Sequence, residues 1–229
     1  NEAALATLRA SNLSGLAMAE AKDALGLEKE ALIEKARLAL ALPKGQQCKV
    51  KFDLVDPEVD PVKLAKAQEF IERVVHRDLM PPVMQARWNG RLDGGNYTSP
   101  NYGTPWHGME IGSMLPVKTF VHEFGHAIED LHAPSLQRSV KMLTVRRGAE
   151  PLKQASNTIH SSDQTFDDEW VSRKGMTYAG IIRYHQGRPI HTEAVSMGLE
   201  RMFVDPMEFR REDPDHFNFT LALARKRKP

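Results

Sequence analysis

A mostly helical α+β fold, with one small mixed sheet packed on a single buried helix, is what the sequence predicts. Three observations carry that expectation. The chain opens with a long segment rich in Ala, Leu, Glu and Lys; the segments 83–88 and 107–111 have strand character; and residues 116–131 read as a helix that is apolar on nearly every side. The expected division is a helical N-terminal arm over 1–55 and a main domain over 56–229.

Residues from Glu2 to about Leu42 predict two or three helices, with one break near Ser11–Ser14 and another at Gly26. Pro43-Lys44-Gly45 closes the run, and a β-like stretch from Cys48 to Leu54 follows, alternating residue by residue. Asp60-Pro61 is a helix start: the carboxylate caps free N–H groups, and the proline occupies a position that needs none. That helix is expected to reach about Arg77, before Pro81-Pro82.

Val83–Trp88 and His107–Ile111 predict two strands, separated by the Gly-, Asn- and Tyr-rich loop 89–104. The helix from Pro116 to Leu131 ends before Pro134, and 135–147 is again helical. Residues 148–191 are polar and carry no clear period, whereas Glu193 to Phe203 regains helical spacing. Asp205-Pro206 and Asp213-Pro214, eight residues apart, are two more capped helix starts.

Composition excludes several functions. With 31 basic against 30 acidic residues, nothing in the overall charge points to nucleic acid or to an anionic membrane. The basic run at 225–228 reads as a solvated tail. Cys48 is the single cysteine, so a disulfide within the chain and a cysteine-based zinc site are both excluded. No apolar stretch approaches the roughly 18 residues that span a bilayer. The chain begins at Asn1 without a signal-peptide pattern and reads as an excerpt of a longer polypeptide; the expected location is cytoplasmic or virion-associated, with secretion left open.

The chemistry is concentrated in Thr119–His132, TFVHEFGHAIEDLH. On a helix, residues four apart stack on one face, so His122 and His126 can direct ring nitrogens to one Zn²⁺. Glu123, one position round, can reach an attacking water without ligating. The bland alternative is an amphipathic helix that carries two histidines by chance. Gly125 costs the helix about 1 kcal/mol against Ala, which points to close approach by another backbone, expected to be a packed edge strand.

A third ligand must come from elsewhere. His132 has the right sequence distance for one zinc arrangement, but Glu129 stands where a glycine would turn the chain. On an unbroken helix His132 lies about 80° round and more than two turns along. Glu193, in HTEAVSMGLE, is the preferred candidate. With Ser196 it resembles the short pattern by which the gluzincin group of zinc metallopeptidases supplies a glutamate from a second helix. The acidic residue that normally follows is replaced by Met197, so support for a ligand histidine is expected from Glu200 or Asp130. Phrases between Thr119 and Phe219 also resemble metallopeptidase-like domains of bacteriophage virion or head-assembly proteins and of prophage toxins.

The resemblance implies a zincin-like core, a Zn²⁺ cofactor and hydrolysis of a protein or peptide substrate. It also allows association with a larger polypeptide or a virion assembly, as a structural protein without turnover or as a toxin module. Glu123 would be the general base, and Tyr178 and Tyr184 are the expected oxyanion donors, with Arg183, His185 and His191 behind them. Substrate is expected along a strand edge at His107–Ile111, under a lid formed by 89–104.

Overall fold

The computed structural model describes residues 15–147, 153–154, 164–165, 180–185 and 188–227. Its architecture is α+β and mostly helical, as the sequence predicts. Helix α1 (Gly15–Ala39) runs unbroken through Gly26, whose α-carbon faces open space, so the helix gives up only glycine's intrinsic penalty there. Its C-terminal part is anchored by Ile33 and Arg37; the Arg37 guanidinium donates to the Phe203 carbonyl at 2.5 Å.

Strand β1 (Lys51–Val55) leads to helix α2 (Pro61–Val74) and then to β2 (Val83–Trp88). The Asp60 carboxylate accepts from the backbone N–H groups of Val62 and Lys63, as the cap reading expects. Helix α2 stops at Val74, short of Arg77, and residues 77–79 form a separate 3₁₀ turn. β1 pairs parallel with β2, so the strand expected to close the arm is part of the main sheet.

The segment 89–104 is not wholly loop. It contains β3 (Gly95–Thr98) and a 3₁₀ turn over 100–102. β3 pairs antiparallel with β4 (Gly108–Ile111), which in turn runs parallel to β2, giving the order β1-β2-β4-β3. The strand preceding the metal-motif helix is therefore interior, and β3, beside it, is one of the two edge strands among the described residues. On one face, Met84, Ala86, Tyr97, Met109 and Ile111 are buried, as the two-residue period of strands requires.

Against that face lies helix α3 (Val117–Leu131), in which ten consecutive residues from Phe120 to Glu129 are buried. A helix buried on all sides needs neighbours on all sides. β3, β4 and α2 cover one flank, and helix α5 (Ala194–Val204) the other. Gly125 makes the second contact possible, because a β-carbon there would fall on the backbone of Ser196. The close neighbour is thus a helix, and not the edge strand expected from the sequence.

Helix α4 (Ala133–Arg147) follows directly, with Pro134 in its first turn. A second antiparallel sheet takes the order β5 (Lys153–Gln154), β6 (Gln164–Thr165), β7 (Ile182–His185), β8 (Arg188–Thr192). Helices α6 (Pro206–Glu212) and α7 (Pro214–Ala224) complete the described chain, capped by Asp205 and Asp213 as predicted. The basic run is partly tied down: Arg225 donates to the Leu40 carbonyl and Lys226 pairs with Asp78. No helix among the described residues is long and apolar enough to cross a membrane.

Candidate metal centre

The first turns of α3 carry His122, Glu123 and His126, with the two histidines on the side where α5 begins. Glu193 meets them from the N-cap position of α5, with φ −91° and ψ 0°, rather than from within the helix. Its carboxylate does not cap the helix. Thr192 Oγ1 accepts from the Ala194 N–H instead, which frees the Glu193 side chain to turn inward while it still benefits from the positive end of the helix dipole.

The distances are those of a ligand group. His122 Nε2 lies 3.1 Å and His126 Nε2 3.3 Å from Glu193 Oε2. Two ligand atoms about 2.0–2.1 Å from a tetrahedral ion are themselves about 3.3 Å apart, so both spacings suit a shared cation. His122, His126 and Glu193 are all buried, and together they could hold a metal ion.

Each member is held by further residues. His122 Nδ1 is 3.2 Å from Glu200 Oε2, and Glu200 Oε1 is 2.6 Å from Lys118 Nζ. Glu200 thus lies against the ring nitrogen of His122 that is turned away from Glu193. Asp130 does not; it accepts from Tyr97 Oη and Asn101 Nδ2 and ties the 97–101 segment to α3. Glu193 receives Arg183 Nη2 at 3.2 Å on Oε1 and Ser196 Oγ at 3.0 Å on Oε2. His126 Nδ1 lies 3.1 Å from His191 Nδ1. His132 is elsewhere, with its Nδ1 2.7 Å from Ser135 Oγ.

The backbone around Glu193 is fixed as firmly as its side chain. Glu129 accepts from the Thr192 N–H at 2.6 Å and from Thr192 Oγ1 at 2.8 Å. The Glu193 N–H donates to the Ile181 carbonyl, and His216 Nε2 donates to the Ala194 carbonyl at 2.7 Å. Glu129 was legible only as a departure from a glycine pattern. Its placement seven residues after His122 and three after His126, on the same buried flank, is the signal that marks it.

Charge follows from this packing. Burial by itself would depress the pKa of His122, but Glu193 and Glu200 outweigh it and push it up to about 10. Burial would raise Glu193, yet the two imidazoles hold it well below the usual carboxylate range. Glu123 goes the other way: burial raises its pKa, only partly opposed by His122 and His126.

Gly95 of β3 lies directly over Glu123, where an added β-carbon would sit 2.5 Å from Oε1. The edge strand and the base are therefore adjacent. Of the two expected tyrosines, Tyr178 lies outside the described residues, and Tyr184 lies in β7 beside Arg183, paired in register with Pro189. The chain matches no family model, no curated protein and no solved structure.

Proposed function

We propose that the chain is a zinc-dependent peptidase, with His122, His126 and Glu193 as the metal ligands and Glu123 as the general base. The observation that carries this reading is a buried two-histidine, one-carboxylate group with the Glu123 carboxylate buried beside it. A zinc ion there would polarise a carbonyl oxygen and make a water acidic near neutral pH. The same ligand set also suits ferrous oxygenases, but an adjacent carboxylate base favours hydrolysis.

Glu123 takes the proton of the attacking water and hands it to the departing amine, so its carboxylate shuttles one proton per cycle. Peptide substrate lies extended along β3, an edge strand of its sheet among the described residues, its backbone extending the antiparallel ladder past Gly95 and bringing the scissile bond over Glu123. Tyr184 and Tyr178 remain the proposed donors to the developing oxyanion.

Metal content and cleavage of a mixed peptide library, measured on the unmodified protein and on Glu123→Gln, test the proposal. Both proteins are expected to carry about one zinc per chain, with cleavage lost by at least about 100-fold in the variant. Equal behaviour of the two on every peptide would overturn it.

A further inference from the structure

We infer that His191 is a positioning residue for the metal centre: its Nδ1 accepts the Nδ1–H of His126 and thereby fixes the ring form that leaves His126 Nε2 free to bind a cation. The inference rests on the metal-site reading above. Two imidazole nitrogens 3.1 Å apart can share a hydrogen only if one donates and the other accepts. His126 Nε2 is the atom that meets Glu193 Oε2, and a ligating nitrogen must keep its lone pair for the metal. The hydrogen of a neutral His126 is then on Nδ1, and His191 must be the acceptor. His191 in turn carries its own hydrogen on Nε2.

The fold supports this role. His191 lies in β8, in register with Arg183 of β7, and two residues before Glu193. Glu193 follows the last residue of β8 directly, so the backbone that delivers the third ligand also delivers the partner of the second. The hydrogen bonds of Glu129 to Thr192 lock the intervening residue. The rings of His126 and His191 meet edge to face, 4.7 Å between centroids and 80° between planes, which restrains rotation of both.

The two ligand histidines are thus supported unequally. His122 faces the carboxylate of Glu200, whereas His126 faces a neutral ring. A carboxylate partner raises the basicity of a ligand imidazole, and a neutral acceptor orients it while adding no charge. Glu123, Glu129, Glu193 and Glu200 already surround the centre, and an imidazole avoids a fifth carboxylate.

Zinc dissociation constants from competition with a chromophoric chelator test this, using the unmodified chain, His191→Ala, His191→Leu and His191→Asn, with circular dichroism as the check on folding. The Ala and Leu variants are expected to bind zinc about 10- to 100-fold more weakly. Asn should restore most of the affinity, because its Oδ1 stands where Nδ1 stood and also accepts a hydrogen. Nitrogen-15 shifts of His126 in the zinc-loaded protein should report hydrogen on Nδ1 in both the unmodified and Asn forms. Unchanged affinity in the Leu variant, or Asn no better than Ala, would overturn the assignment. A folded, unmodified chain that binds no zinc would instead overturn the metal-site reading itself.

Discussion

Helix α3 has two flanks that do opposite work. Toward the sheet, Phe120, Phe124 and Ile128 fill volume against Met84, Met109 and Ile111, and Phe124 meets Phe52 edge to face at 6.2 Å. Toward the start of α5, the His122, His126 and Glu129 side chains are also buried, and Glu123 is buried where β3 meets the helix; each carries polar atoms that demand partners. An apolar flank needs only enough neighbours of the right size, whereas a polar flank needs particular atoms at particular distances. The first can be filled by many residues; the second is specified by few.

The comparison can be broken from the apolar side with the largest effect. Phe124→Ala removes a ring that is fully buried and is expected to cost about 3–5 kcal/mol in denaturant unfolding. The molecules that remain folded should still take up metal. Loss of metal binding without a comparable loss of stability would show that the two flanks are not separable.

From the polar side the signature reverses. Glu200→Ala leaves His122 Nδ1 without its carboxylate and should weaken zinc binding by about 10-fold or more, while shifting the unfolding midpoint little. A smaller effect is expected away from the helix, at Glu72. Burial would raise its pKa, but Lys49, Gln68 and the Val50 N–H outweigh this and hold it below the ordinary value of 4.5. A carboxylate depressed in the fold contributes stability above its unfolded value, and that contribution disappears as pH falls through the folded value. Glu72→Gln should therefore remove less than about 1 kcal/mol at neutral pH and flatten the acid limb of the stability curve, with the metal centre unaffected.

The same contrast explains what was legible in the sequence. Helix α3, strands β2 and β4, and the caps at Asp60, Asp205 and Asp213 follow from short-range period and capping chemistry. Among the metal-ligand candidates, His122 and His126 are one helical turn apart, and Glu193 came from a short pattern with Ser196, whose hydroxyl does reach the Glu193 carboxylate. What escaped depends on tertiary partners. β3 carries Gly95 and Asn96, poor strand formers, and exists because its antiparallel neighbour β4 pairs with it. Gly125 signalled a close approach but not its source, since Ser196 is 71 residues away in sequence. His191 and Arg183 were placed near the site, yet their attachment to His126 and Glu193 becomes visible only when β7 and β8 form a hairpin.

The central claim is that Glu193 completes a cation site with two histidines from α3. Elemental analysis of Glu193→Ala beside the unmodified protein, both purified with metal present and matched for folding by circular dichroism, tests it most directly. About one equivalent of zinc is expected in the unmodified chain, and a small fraction of that in the variant. Full zinc occupancy in folded Glu193→Ala would contradict the account.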